Sequence, residues 1–158
     1  MLPVAITTYT FVVAIHVVFV VSFLGAGAAF GVIGPLVGKN PQHAPFALKV
    51  NKEIYEKMII PGMLVVWGTG FYQWNDGGFG GDDLWLIISV ALYAVITLVG
   101  LFVLYPGIKF VLAELESREQ PGPPSAESQA RLKKMQVFGP FIGVSMMVIT
   151  FLMVAQPF

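Results

Sequence analysis

The sequence predicts an all-α protein, an integral membrane up-down four-helix bundle. Three observations predict it. Of 158 residues, 56% are hydrophobic and 11% charged, whereas a soluble domain carries about 25% charged residues. A surface so poor in charge is solvated by lipid. Apolar runs near the ~20 residues needed to cross a bilayer recur four times, over about residues 10–37, 57–74, 84–110 and 137–155. Polar stretches separate them: GKNPQHAPFALKVNKE, NDGGFGGDD and AELESREQPGPPSAESQARLKK. No internal repeat is visible, so residues 1–158 read as one transmembrane domain.

The first run follows MLPVAITTYT, which lacks the basic region of a signal peptide. The run is also longer than a signal-peptide core, so it reads as a retained span. The second polar stretch is short and predicts a tight antiparallel hairpin of helices two and three. The third contains PGPP, which stops a helix and stiffens a linker. RLKKMQ, ahead of helix four, reads as a basic interfacial anchor for anionic lipid.

Charge fixes an expected orientation. The nine Lys and Arg are Lys39, Lys49, Lys52, Lys57, Lys109, Arg118, Arg131, Lys133 and Lys134. All lie in or beside the first and third polar stretches. The positive-inside rule places those stretches in the cytoplasm and both termini outside. Trp74 and Trp85 flank the outer hairpin, at the level of an aromatic belt. The formal net charge is zero, which argues against a basic surface for nucleic acid. Without cysteine, disulfides, iron–sulfur clusters and thiolate metal sites are excluded.

Within AIHVVFVVSFLGAGAAFGVIG the polar exception is His16. Helical spacing from it gives Val20, Phe23, Gly27, Gly31, Gly34 and Gly38, which predicts a small-residue packing seam on His16's face. Helix four carries Gly139 and Gly143 as a second seam. Counted at 1.5 Å per residue, His16 lies about 9 Å inside the outer boundary. Thr69, Ser89 and Thr150 fall in the same layer, with Tyr93 one turn deeper.

His16 has two readings. It hydrogen-bonds a hydroxyl and pins the bundle, or it ligates haem iron or another metal. His43, in the first polar stretch, is about 30 Å away along the membrane normal, which excludes a bis-histidine haem within one chain. Met146 and Met147 are the nearest other soft donors. Asp76, Asp82 and Asp83 lack the acid spacing of an EF-hand and read as turn residues. Met58 and Met63 are five apart, on different faces, and read as apolar filling. Nothing reads as a nucleophile–base pair, a phosphate loop or a pair of buried acids.

Two segments carry a resemblance: IIPGMLVVWGTGFYQW and DLWLIISVALYAVITLVGLFVLYP. Their Pro61–Gly62, Thr69–Gly70, Trp85–Leu86 and Pro106 resemble a bacterial family of predicted four-helix integral membrane proteins of unknown function, over about residues 10–115. The early histidine with its Gly/Ala run is similar to the CopD copper-resistance domain and, more distantly, to HemJ-type protoporphyrinogen oxidases. The resemblance implies a bacterial inner membrane and no assigned activity. The HemJ likeness implies haem b at His16. The lysine those oxidases need within helix three has no counterpart, since Lys109 sits at that helix's end.

The leading expectation is a non-catalytic membrane subunit. It packs in a larger complex, of electron-transfer or photosynthetic type, among lipid and other subunits or further copies of itself. The alternative is a haem b or metal binder using His16. A transporter would need charged or broken-helix sites at mid-membrane, and only Pro61 and Pro140 offer breaks.

Overall fold

The computed structural model describes residues 7–118 and 124–157. Met1–Ile6 of the MLPVAITTYT start, read above as lacking a signal peptide's basic region, and Pro121–Pro123 of PGPP, read as a helix stop, lie outside the described residues. Helix α1 is Thr8–Lys39. Its start is capped by Thr7, whose hydroxyl oxygen accepts the Thr10 N–H at 3.2 Å. After a 3₁₀ turn, Pro41–His43, helix α2 covers 44–76 as Ala44–Ile54, a π-turn Tyr55–Ile59 and Ile60–Asp76. Helix α3 is Leu84–Glu116, with a π-turn at Gly100–Leu104. Helix α4 is Ala126–Ala155. Among the described residues there is no strand.

Three helices are longer than their apolar runs suggest. Most of the first polar stretch is helix: APFALKVNKEI buries Ala47 and Leu48 and exposes Phe46 and Lys49. Such an amphipathic segment averages to neutral hydropathy, so a search for apolar runs passes over it. Helix α4 starts at residue 126, eleven residues before its apolar run, and carries RLKKMQ on its first turns. The Ser125 hydroxyl oxygen accepts the Ser128 N–H at 3.2 Å there, and a Glu127–Arg131 pair at 2.7 Å supports the first turn.

Thr8–Lys39, Leu84–Glu116 and Ala126–Ala155 are long and apolar enough to cross a membrane. The expected fourth run is shorter. Ile60–Asp76 has 17 residues, or about 26 Å, against a hydrocarbon core of ~30 Å.

The four helices pack in a ring. Ile60–Asp76 lies on α1, Ala44–Ile54 on Tyr105–Glu116, α4 on both halves of α3, and α1 on α4. The α2–α3 hairpin is therefore closest at its far end, the basic end of the bundle, rather than beside its loop. In the middle of the hairpin, the bulky Trp67 and Tyr93 rings, 5.1 Å apart, stand between the helices. The core is layered: Tyr55, Ile59, Met63, Ile108 and Val111 toward the basic end, Val66, Ile96, Met146 and Ile149 in the middle, and Trp85, Leu86 and Leu152 at the hairpin end. Trp85 is thus turned into the bundle, only 4% exposed. It packs edge-on to Phe79 instead of joining a lipid-facing belt.

Both π-turns precede the same tripeptide pattern, Ile60–Pro61–Gly62 and Tyr105–Pro106–Gly107. Proline has no N–H for the i−4 carbonyl and crowds it. A π-turn, which takes in one extra residue, lets the helix run on through that interruption. The following glycine then admits a neighbour. A Cβ at Gly62 would lie 2.8 Å from the Phe23 ring of α1, and one at Gly107 2.9 Å from the Met135 methyl of α4.

Candidate functional site

His16 lies on α1 facing α2, part-buried, with Nδ1 2.8 Å from the Thr69 hydroxyl oxygen. That hydroxyl is itself 2.6 Å from the Val65 carbonyl one turn back, to which it donates. A hydroxyl has one proton. With it committed to Val65, Thr69 is placed to accept from an imidazole Nδ1–H, and a neutral ring bonded in that way would carry its lone pair on Nε2. A Cβ at Gly70 would make only ordinary van der Waals contact with His16 Cε1, at 3.5 Å. The bond removes a penalty of several kcal/mol that an unpaired imidazole would carry in hydrocarbon.

Of the polar layer, Thr69 meets His16. Ser89, fully buried, donates to the Trp85 carbonyl of its own helix at 2.7 Å. Thr150 does likewise to Met146 at 2.8 Å. Tyr93 donates across the hairpin to the Met63 carbonyl at 3.4 Å. Equal depth does not set direction, and a helical Ser or Thr satisfies itself on the i−4 carbonyl.

Among the described residues, a Cβ at Gly27, Gly31, Gly34, Gly38, Gly139 or Gly143 would meet nothing within 4 Å. Helix α1 packs within the chain through Phe19, Phe23, Ala26 and Phe30, a line that shares Phe23 with the face counted from His16 and is otherwise turned from the glycines by about one residue. Large rings bury more area than glycines, and Phe30 stacks on Tyr55 at 6.1 Å.

Three polar constellations escaped the reading by runs and faces. The Trp67 indole N–H donates to Thr97 at 3.3 Å. At the basic end, Glu56 accepts from the Tyr105 hydroxyl at 2.7 Å and from Lys52 at 3.0 Å. The Tyr105 hydrogen bond, then Lys52, hold its carboxyl below the usual carboxylate range. The i,i+4 spacing of Lys52 and Glu56 was the available signal. Finally, Glu114 accepts the hydroxyl protons of Ser125 and Ser128 and the Ser125 N–H, and pairs with Arg118. These bonds, Ser125 first, lower its carboxyl to about 2.

The remaining sequence candidates have ordinary places. His43 is exposed at the end of the 3₁₀ turn. Met58 is exposed and Met63 buried, on different faces. Asp83 accepts the Gly80 N–H at 2.8 Å within the hairpin turn, where Gly78 takes φ +71°. Among the described residues no three His, Cys, Asp or Glu side chains cluster as metal ligands. What the His16 site offers is a single imidazole, held through Nδ1 by Thr69.

No curated protein and no solved structure matches the chain. The family model described as "Predicted integral membrane protein (DUF2269)" matches residues 9–157, and the chain belongs to that family.

Proposed function

We propose that this protein is a non-catalytic integral membrane subunit, docking through the glycine face of α1 onto a helix of another subunit or of a second copy. The observation that carries the reading is the open space over Gly27, Gly31, Gly34 and Gly38. Small residues on a membrane helix allow close backbone approach, and among the described residues no helix makes that approach. Gly139 and Gly143 offer a second such place on α4. His16–Thr69 then serves as an internal pin between α1 and α2. Its setting is a bacterial inner membrane, with the basic end in the cytoplasm, both termini outside and α2 as the fourth crossing. The distribution of all nine Lys and Arg supports that orientation.

The test is Gly31→Leu in the native membrane. It should leave the chain inserted but release it from the assembly with which the wild type migrates, while Val32→Leu, a change on an exposed position, should not. Comigration of Gly31→Leu with that assembly would refute the reading. Orientation is tested with single cysteines in this cysteine-free chain. Asp82→Cys should react with an impermeant reagent on intact cells and Lys133→Cys should not.

A second reading has its own observation, the 2.8 Å contact between His16 Nδ1 and the Thr69 hydroxyl. A ligating histidine commonly donates its other ring N–H to a fixed acceptor, and Thr69 is such an acceptor. His16 would hold haem b through its imidazole, and the haem would supply one-electron redox chemistry there. His43, beyond the far end of α1, lies more than ~30 Å away and would not share in holding it. An absorption spectrum of protein purified from its native membrane decides. A Soret band lost equally in His16→Gln and His16→Leu would favour this reading over the first.

A further inference from the structure

A groove of about 210 Å³ opens between the π-turn of α3 and the first turns of α4, lined by Phe102, Val103, Glu127, Ala130, Arg131 and Lys134. We propose that this groove binds one anionic phospholipid, its phosphate on Arg131 and Lys134 and an acyl chain along the apolar track that continues from it.

The head end is built by three contacts. The Arg131 guanidinium sits 4.3 Å from the centre of the Phe110 ring and donates to Glu127 through Nε at 3.2 Å and Nη2 at 2.7 Å. A guanidinium has five N–H groups, so the pair fixes its position and leaves donors over. Among the described residues no carboxylate stands within ion-pair distance of Lys134. The lining carries one carboxylate and two cations, a net single positive charge.

The tail end follows from helix geometry. From Lys134 the same face of α4 continues through Val137, Phe141, Val144 and Val148, all exposed. Residues 134 to 148 span about 21 Å, longer than the ~15 Å that one leaflet of hydrocarbon occupies. Across the groove, α3 presents Phe102, Leu98 and Val95, also exposed. The π-turn lies beside the groove, and Phe102 on it is 73% exposed. Lys134 lies three residues before the apolar run of α4, at headgroup level. Position, charge and an adjoining apolar track therefore select an amphiphile with an anionic head rather than a soluble anion.

The experiment uses the full-length protein in a zwitterionic detergent, with bound lipid counted by native mass spectrometry. Dioleoyl phosphatidylglycerol should bind one to one and more tightly than dioleoyl phosphatidylcholine. Lys134→Gln should weaken the phosphatidylglycerol complex about fivefold, as expected for one basic residue near an anionic surface. Lys39→Gln, a cation at the same end outside the groove, should leave it unchanged. Both variants are surface changes, and an unaltered melting temperature confirms their fold. Equal binding of the two lipids, or equal weakening by Lys39→Gln and Lys134→Gln, would overturn the site in favour of diffuse charge attraction. Binding of glycerol phosphate as tight as that of phosphatidylglycerol would overturn the acyl track.

Discussion

Two sets of glycines divide this molecule. Gly62, Gly100 and Gly107, on α2 and α3, each face a side chain: Phe23, the Met63 methyl and the Met135 methyl, at 2.8, 3.1 and 2.9 Å from where a Cβ would be. Gly27, Gly31, Gly34 and Gly38 on α1 face nothing. The first set lies beside π-turns and lets large residues of neighbouring helices come close. The second follows a regular small-residue spacing, the pattern a reader trusts most, and takes no part in the chain's own packing. Spacing shows that a face is smooth. Whether the face is used depends on what larger residues do a hundred degrees away.

Substitutions can break this contrast or sharpen it. The largest effect is expected at Gly62. Gly62→Ala places a methyl against a ring held by its own packing, and overpacking of this kind costs about 1–3 kcal/mol. Thermal unfolding in detergent should register the loss. Gly31→Ala should leave the isolated chain unchanged or raise its stability by up to ~1 kcal/mol, since alanine is the better helix former and the space is open. If both variants lower stability alike, the two sets are not distinct.

His16 stands at the edge between the two faces of α1 and comes next in size. His16→Leu removes the bond to Thr69 and should cost about 1–2 kcal/mol, the range for interhelical bonds in membranes. His16→Gln retains a donor and should cost less. Equal melting temperatures for His16→Leu and the wild type would mean that the contact contributes nothing to holding α1 on α2.

At the basic end the contrast becomes one of pH. The Glu114 carboxyl is lowered from an ordinary 4.5 to about 2. A depressed folded value stabilises the fold above the unfolded value and ceases to do so once the group is protonated in both states. Its contribution is therefore complete above about pH 5 and is lost as pH falls from about 4.5 toward 2. Glu56 is lowered in the same direction. Glu114→Gln should flatten the acid side of a stability–pH profile while leaving the hairpin end, as read from Trp85 fluorescence, unaltered at pH 7. An unchanged acid limb would assign the acid sensitivity to other groups.

The sequence made the helical membrane class legible because composition and run length are averages, and averages survive ignorance of direction. His16 stood out for the same reason, as a polar group in an apolar run. Its partner Thr69 was placed at the right depth. Ser89 and Thr150 were placed just as well and turned back onto their own helices, a choice the hydroxyl makes locally and depth does not record. Of the line counted from His16, Val20 and Phe23 pack within the chain while Gly27, Gly31, Gly34 and Gly38 face open space, because Phe19, Phe23 and Phe30 set the rotation of α1. The helical start of α2 stayed hidden because amphipathic segments cancel in hydropathy. The Glu114 network joins residues 11 and 14 apart across a polar stretch, and no periodicity connects them.

The two π-turns bear on which length changes the family can tolerate. Each holds one residue more than an α-helical turn needs. Deleting one residue from Tyr55–Ile59 would restore an α-helical turn, and because the wide turn already absorbs that residue, the faces beyond it would stay close to where they are. Thr69 would still face His16 and Gly62 would still face Phe23, while the Glu56–Tyr105 contact, made from within the turn, would be the one disturbed. The extra residue therefore acts locally, at the basic end of the bundle. Homologues could lose it in α2 and keep the His16–Thr69 pair, provided that they replaced the Glu56–Tyr105 contact.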